Sequence, residues 1–161
     1  MSWRRLIRLS FMGLLVASGA CRSQPTAVDP SDPQIVAAVD SILDKVAAAA
    51  QSADAEGVLS STTHDDTFTF ITGDTMLTGY DNALTAFRET YALLQGQTSQ
   101  IIQKRTRVLS PDVVLVSAIS EGTYTDKSGF TSPIVGLGST AVFVRRGTEW
   151  RVIHYHQSVA K

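Results

Sequence analysis

One long apolar stripe near the start of the sequence limits the folds open to this chain more than any other feature. Between residues 33 and 50, apolar side chains recur every three or four positions: Ile35, Val36, Val39, Ile42, Leu43, Val46, Ala47 and Ala50. That spacing predicts an amphipathic helix, with Asp32 as its N-cap and Pro33 at the first helical position. The opposite face is predicted to be charged, with Asp40, Asp44 and Lys45. A stripe this continuous needs a broad apolar surface to pack on.

The second half of the sequence is predicted to supply that surface as a sheet. Runs rich in β-branched residues predict strands at residues 98–109, 113–125, 132–146 and 149–158, joined by short turns. An earlier strand is predicted at 67–72, and two further helices at 54–59 and from Gly79 to Gly96, the latter burying Leu84, Phe87, Tyr91 and Leu94. With 161 residues and 43% hydrophobic content, the chain fits one domain. Helices followed by hairpins predict an α+β fold, with helices packed on one face of a curved antiparallel sheet.

The first 20 residues have the three parts of an export signal. Arg4, Arg5 and Arg8 form a positively charged start, residues 9–16 are apolar, and small residues follow from Ala17. The apolar stretch is too short to cross a bilayer as a helix, but it fits the centre of a signal peptide. We therefore predict that residues 1–20 are a signal peptide and that the protein is exported.

The chain's only cysteine, Cys21, follows directly after Gly19 and Ala20. Small residues ahead of a cysteine at this place resemble a bacterial lipobox. The resemblance implies cleavage before Cys21 and a lipid on its thiol, which would hold the protein on a bacterial membrane in the cell envelope, facing the periplasm or the exterior. The alternative is ordinary secretory cleavage after Ala20, which leaves a free N-terminal cysteine. A single cysteine allows no internal disulfide.

Residues 21–33 are predicted to be a lipidated tether, because they contain Pro25, Pro30 and Pro33 among small polar residues and offer little to bury. The folded domain is then expected at residues 34–158. Once the signal is removed, 11 basic residues remain against 15 acidic ones, a net charge of −4. That balance argues against nucleic acid as a partner, because phosphate neutralisation requires several Lys or Arg on one face. The densest basic group, Lys104, Arg105 and Arg107, fits the solvent side of a strand.

The order of these elements and three motifs resemble the SnoaL-like members of the nuclear transport factor 2-like superfamily. Residues 52–57 are similar to the entry of the family's second helix, and Thr78-Gly79-Tyr80 with Phe87 is similar to its glycine-led third helix. The closing segment WRVIHYHQS, residues 150–158, is similar to the end of SnoaL-like domains and of the association domain of calcium/calmodulin-dependent protein kinases. Together these similarities cover residues 34–158.

The resemblance implies a cone-shaped, cystatin-like fold whose helices and curved sheet enclose a pocket. Some relatives isomerise steroids, hydrolyse epoxides or cyclise polyketides, while others bind partners or assemble without catalysis. Relatives also commonly pair through the outer face of the sheet, so a homodimer is expected. Because a fold does not fix a function, the function has to be inferred from the individual side chains of the site.

His154 and His156 are two residues apart on the last predicted strand and are therefore expected on one face. They could bind a metal or transfer a proton, but even an open zinc site usually takes three ligands, and His64 is far upstream. We expect a structural pair, with no metal and no cofactor. Trp150 is predicted on their face, and Tyr155 and Gln157 on the other. In the association domain, a pocket arginine takes the position of Gln157.

Glu121 is the acid that stands out, because it interrupts an otherwise apolar strand. Buried beside aromatic rings, a carboxyl group has a raised pKa and can act as a general base. The alternative is a solvent-facing residue paired with Arg105 or Arg107. Asp66, just before the first predicted strand, is a second candidate acid.

Two functions of different classes follow from these residues. The first is a non-catalytic domain that binds a small, largely apolar ligand or a partner in its cone. Its candidate ligand-binding residues are Tyr80, Tyr91, Glu121, Tyr155, Gln157, His154 and His156. The second is an isomerase or hydrolase that uses Glu121 or Asp66 as base, with Tyr80 or Tyr91 as proton donor.

Overall fold

The computed structural model describes residues 29–159. The predicted signal peptide, Cys21 and the tether up to residue 28 lie outside these residues. The helices of the described part are α1 (Pro33–Gln51), α2 (Ala55–Leu59) and α3 (Tyr80–Tyr91), and its strands are β1 (Thr69–Thr72), β2 (Thr75–Thr78), β3 (Leu94–Ser110), β4 (Val113–Asp126), β5 (Thr131–Arg146) and β6 (Glu149–Ser158). Within this part, no helix is long and apolar enough to cross a membrane.

The strands form one sheet in the order β2-β1-β6-β5-β4-β3. Strands β3 to β6 are successive antiparallel hairpins, as predicted, and the α+β class is confirmed. One pair differs from the predicted antiparallel sheet, because β1 runs parallel to β6. Turn residues indicate only pairings between strands that are neighbours in sequence, so they do not reveal this contact between strands that are separated by four others. The parallel pair sets Phe70 of β1 beside Tyr155 of β6.

Helix α1 begins as its sequence predicts. The Asp32 carboxylate accepts hydrogen bonds from the backbone N–H groups of Gln34 at 2.9 Å and Ile35 at 3.3 Å, which confirms it as the N-cap. Asp40 does not lie on the far face as predicted, because its Oδ1 is 2.7 Å from Lys104 Nζ on β3. It directly follows the fully buried Val39, so it lies at the edge of the apolar stripe, where a long lysine side chain from the sheet reaches it.

Two boundaries differ from the sequence prediction in the middle of the chain. No strand was predicted between the turn after residue 72 and the helix from Gly79, but residues 75–78 form β2, which pairs with β1. Helix α3 ends at Tyr91, and Leu94, predicted in the buried face of that helix, opens β3 opposite Asp126. The glycine read as a helix stop, Gly96, instead lies in β3, where an added Cβ would come 3.3 Å from the carbonyl oxygen of Gln51 at the end of α1. Leu94 and Gly96 have the local pattern of a helix end, but they pair with β4 and therefore belong to β3.

The hydrophobic core lies between the helices and one face of the sheet, which we call the inner face. Its buried residues are Val39, Leu59, Phe68, Phe70, Ala83, Val108, Val114, Val116, Ala141, Phe143 and Val152. Helices cover only part of this face. Ile101 pairs with the buried Ser120, and Tyr124 follows four residues after Ser120 on β4, yet their exposed fractions are 44% and 39%. We call this partly exposed region around Ile101 and Tyr124, which adjoins the end of α1 at Gly96, the open end.

Candidate ligand-binding site

A row of four aromatic rings crosses the interior from the sheet to α3. Tyr155 of β6 stacks on Phe70 of β1 with ring centroids 5.9 Å apart. Phe70 meets Phe87 of α3 edge to face at 5.0 Å, and Phe87 meets Tyr91 in the same way at 5.6 Å. Such pairs stabilise the packing beyond the area they bury. We call these residues the aromatic row.

Both tyrosine hydroxyls of the aromatic row have neutral partners. Gln97 Nε2 donates to the Tyr91 hydroxyl at 3.4 Å. Burial raises the pKa of Tyr91 to about 12, although this hydrogen bond opposes the shift. Burial also raises the pKa of Tyr155, against a smaller opposing effect of its hydrogen bond with Ser139. Both hydroxyls therefore stay protonated at neutral pH, and they offer a ligand hydrogen bonds without charge.

Gln157 also lies on the inner face, next to Tyr155 in the direction of the strand end. It is directly opposite Ser139 of β5 and Thr72 of β1, and its Nε2 donates to Thr72 Oγ1 at 3.4 Å. The half-buried amide thus joins the parallel strands near the aromatic row. A neutral amide here provides a donor and an acceptor but no attraction for an anion.

A β-bulge in β6 separates the histidines from the residues that contact the core. His154 lies opposite Val142, but Val152 lies opposite Phe143, so Ile153 is an extra residue in the strand. The prediction that Trp150 shares a face with the two histidines is therefore wrong, because the extra residue turns Trp150 and Val152 to the inner face. His154 and His156 lie on the opposite face, which we call the outer face. They are consequently not part of the same site as Tyr155 and Gln157.

Glu121 lies away from the aromatic row. It sits at an irregularity between β4 and β5, where Ser120 pairs with Leu137 but Gly122 pairs with Ile134. Its side chain is exposed, and among residues 29–159 it forms no salt bridge with Arg105 or Arg107. An acid that interrupts an apolar strand can mark a bulge as well as a buried base, and here the bulge explains it.

Tyr80 is at the opposite end of α3 from Tyr91. Its ring stacks on His64 with centroids 4.1 Å apart, and its backbone N–H donates to the Asp65 carbonyl at 3.2 Å. Asp66, in the same loop, is exposed. Across the described residues, neither Asp66 nor Glu121 hydrogen-bonds to a tyrosine hydroxyl. The structure thus does not bring the predicted acids and tyrosines together.

The sequence interpretation missed the residues of the open end. Gln97, Ile101 and Tyr124 extend the inner face beyond the aromatic row. Gln97 also lines a crevice of about 370 Å³, together with Gln51, Gln95, Gly96, Thr98, Thr123 and Thr125. One signal could have found this region. Ile101 and Ile102 are the only apolar residues between positions 95 and 107 of an otherwise polar strand. Nowhere in residues 29–159 do three His, Cys, Asp or Glu side chains lie close enough to hold a metal ion.

A model of the SnoaL-like domain matches residues 39–161 of the sequence, which is most of the chain. The chain belongs to the SnoaL-like domain family. The resemblance seen in its motifs is thereby confirmed. A comparison with curated proteins gives no significant match.

Solved structures agree with this assignment at the level of fold. A nuclear transport factor 2-like superfamily protein from Salmonella enterica serovar Typhimurium superposes with a TM-score of 0.72 at 15% identity, covering 80% of this chain and 93% of that one. A ketosteroid isomerase-like protein from Erwinia carotovora atroseptica gives 0.68 at 19%, covering 80% and 98%. A calcium/calmodulin-dependent protein kinase II association domain-like protein from Xanthomonas campestris gives 0.64 at 19%, covering 85% and 95%. These similarities confirm the predicted nuclear transport factor 2-like fold, and at such identities they show the fold alone.

Proposed function

We propose that this SnoaL-like domain binds a small, largely apolar molecule at its open end, without catalysing a reaction. The ligand packs beside Tyr91 against Ile101 and Tyr124, the two exposed side chains of the inner face at this end. Its polar atoms are met by neutral groups, the amide of Gln97 and the hydroxyl of Tyr91. Ligand sites in proteins commonly combine an apolar lining with a few polar groups in this way.

The observation that carries this proposal is the neutral character of the aromatic row. Gln97 Nε2 donates to the Tyr91 hydroxyl, and burial raises the pKa of both Tyr91 and Tyr155, so neither carries a charge at neutral pH. An apolar molecule that binds beside neutral groups does not have to remove water from a charged side chain, which would cost free energy. The exposed apolar side chains next to the row, Ile101 and Tyr124, extend this surface to solvent.

A neutral fluorescent probe tests the proposal. N-phenyl-1-naphthylamine is titrated into the domain that starts at Asp29, which contains the whole core, and into two variants. Tyr91→Ala removes the ring at the end of the aromatic row and is expected to weaken probe binding at least about tenfold, as the loss of one buried aromatic contact does. Leu109→Ala is the control, because Leu109 is an exposed apolar residue of β3 at the opposite end of that strand from Gln97. Equal binding by both variants would contradict the proposal.

We also propose that the protein acts in the cell envelope, anchored by lipid on Cys21. The basis is the sequence alone: a signal-like segment that ends in small residues before the chain's one cysteine. Cells expressing the full chain and fed an alkyne analogue of palmitate should incorporate the label into this protein, and Cys21→Ser should abolish incorporation. Secretion of unlabelled wild-type protein would instead support ordinary cleavage after Ala20.

An isomerase or hydrolase is the alternative, and such activities occur on this fold. It requires a carboxylate beside a tyrosine hydroxyl in one pocket. Glu121 and Asp66 are both exposed, and among residues 29–159 neither hydrogen-bonds to a tyrosine hydroxyl, so the geometry supports binding better than catalysis by these residues.

A further inference from the structure

We propose that the outer face of the sheet carries a second site, a trough between Arg105 and His156 that binds a small anion with a carboxylate or phosphate group. This site is separate from the proposed apolar site, which uses the inner face. It involves two features that the aromatic row leaves unused, the histidine pair and the basic segment of β3.

The trough follows one row of residues across four strands. Arg105 of β3 lies opposite Ser117 of β4, Ser117 opposite Thr140 of β5, and Thr140 opposite His156 of β6. Neighbouring strands are about 4.8 Å apart, so the backbones at the two ends of the row are separated by about 14 Å. Long side chains stand at both ends and short ones between them. The resulting depression has a volume of about 390 Å³.

The adjacent row shows why the trough forms at this position. It has the same residue types at its ends, Arg107 and His154, but Leu115 and Val142 between them. Those larger apolar side chains fill the space that Ser117 and Thr140 leave open. The trough is therefore a consequence of the small residues in the middle strands and not of the basic residues alone.

The side chains around the trough suit an anion. Its lining residues include Arg105, Gln103, His156 and several residues with hydroxyl groups, but no Asp or Glu. Glu121, the nearest acid along β4 on this face, is four residues from Ser117 and does not line it. A guanidinium group presents a planar fork of N–H donors that matches two oxygens of a carboxylate or phosphate.

Arg105 is also free to take such a ligand. Within residues 29–159, the cations Arg88, Lys104 and Arg151 each pair with a carboxylate, whereas Arg105 forms no salt bridge. The other residues of the row add hydroxyl donors from Ser117 and Thr140 on the floor. A ligand oxygen held by Arg105 can thus reach hydroxyl groups of the middle strands.

Calorimetric titration of the full chain in a neutral detergent tests the site, with inorganic phosphate and succinate as separate probes at about 0.15 M ionic strength, where the Debye length is about 8 Å. Saturable binding of either probe is expected, and the tighter one identifies whether phosphate or carboxylate is preferred. Arg105→Gln should weaken binding at least about tenfold, because it removes a charged hydrogen-bond donor. Arg107→Gln, which makes the same change of charge in the filled row, should alter it by no more than about twofold.

A second variant separates shape from charge. Ser117→Leu copies the residue that fills the neighbouring row, so it should abolish binding while leaving every charge in place, and an unchanged melting curve shows that it folds. Equal losses of binding in Arg105→Gln and Arg107→Gln would overturn the proposal, because they would indicate that the basic surface attracts the anion without a specific site. Binding that survives Ser117→Leu would also overturn it. So would absence of binding in the wild type, including the case in which light scattering shows a homodimer that covers the outer face.

Discussion

Tyr91 and Tyr155 place hydroxyl groups at the two ends of the aromatic row, and burial raises the pKa of each. If either hydroxyl lost its proton, the negative charge would lie beside aromatic rings, where burial disfavours it. The folded protein thus favours the protonated forms more strongly than the unfolded chain does. This difference has a direct effect on stability in alkaline solution.

The free energy of unfolding is expected to fall as the pH rises above about 10, the ordinary pKa of tyrosine. Between that value and the pKa of about 12 for Tyr91, the unfolded chain releases the proton while the folded protein retains it, so ionisation favours unfolding. Urea denaturation at about pH 9 and about pH 11.5 measures the loss. The Tyr91→Phe variant has no hydroxyl to ionise and should lose less stability over this window than Tyr124→Phe, whose changed residue is exposed. Identical losses would show that Tyr91 does not titrate as its burial requires.

At the scale of single elements, helix α1 is the part best predicted from sequence. Its apolar spacing, the N-cap at Asp32 and the proline at the first position all agree with one another, and the structure agrees with them. The bulge at Ile153 is the opposite case. Nothing in residues 150–158 distinguishes the extra residue from its neighbours, since apolar and aromatic side chains occur on both sides of it. Only pairing with β5 determines which face Trp150 takes.

The N-cap gives a prediction for α1. Asp32→Ala removes the acceptor for two backbone N–H groups and should lower the free energy of unfolding by about 1 kcal/mol. Asp32→Asn keeps an acceptor oxygen and should retain most of that stability. Asp44→Ala, which removes an exposed carboxylate from the same helix, should change stability by less than about 0.5 kcal/mol. Urea denaturation of the three variants checks the order, and a loss in Asp44→Ala equal to that in Asp32→Ala would contradict the capping role.

At the scale of the whole molecule, the two ends of β3 have different surroundings. The Val108 N–H donates to the Pro30 carbonyl at 3.0 Å, so residue 30 lies against the final residues of β3. The open end is toward the start of the same strand, where Ile101 is seven residues away from Val108 and therefore about 20 Å distant.

The sequence predicted the class and family of this molecule but only part of its site. Periodicity and turn residues sufficed for α1 and the hairpins of β3 to β6, because those features depend on local pattern. They did not predict that β1 pairs with β6, that Glu121 lies at a bulge, or that Tyr80 and Tyr91 face different surroundings. Those outcomes depend on contacts between residues distant in sequence. The sequence predicted that Tyr155 and Gln157 share one face of the last strand. That this is the inner face, and that Gln97 lies beside Tyr91, came only from the structure.

The most direct test of the binding proposal is a structure of the full chain purified from its native envelope, at a resolution that shows bound small molecules. We predict a largely apolar molecule in contact with Tyr91, Ile101 and Tyr124, with a polar atom near Gln97. Native mass spectrometry of the same sample should show its added mass, lost in Tyr91→Ala. An open end occupied by ordered water alone, with no added mass in the wild type, would contradict the account.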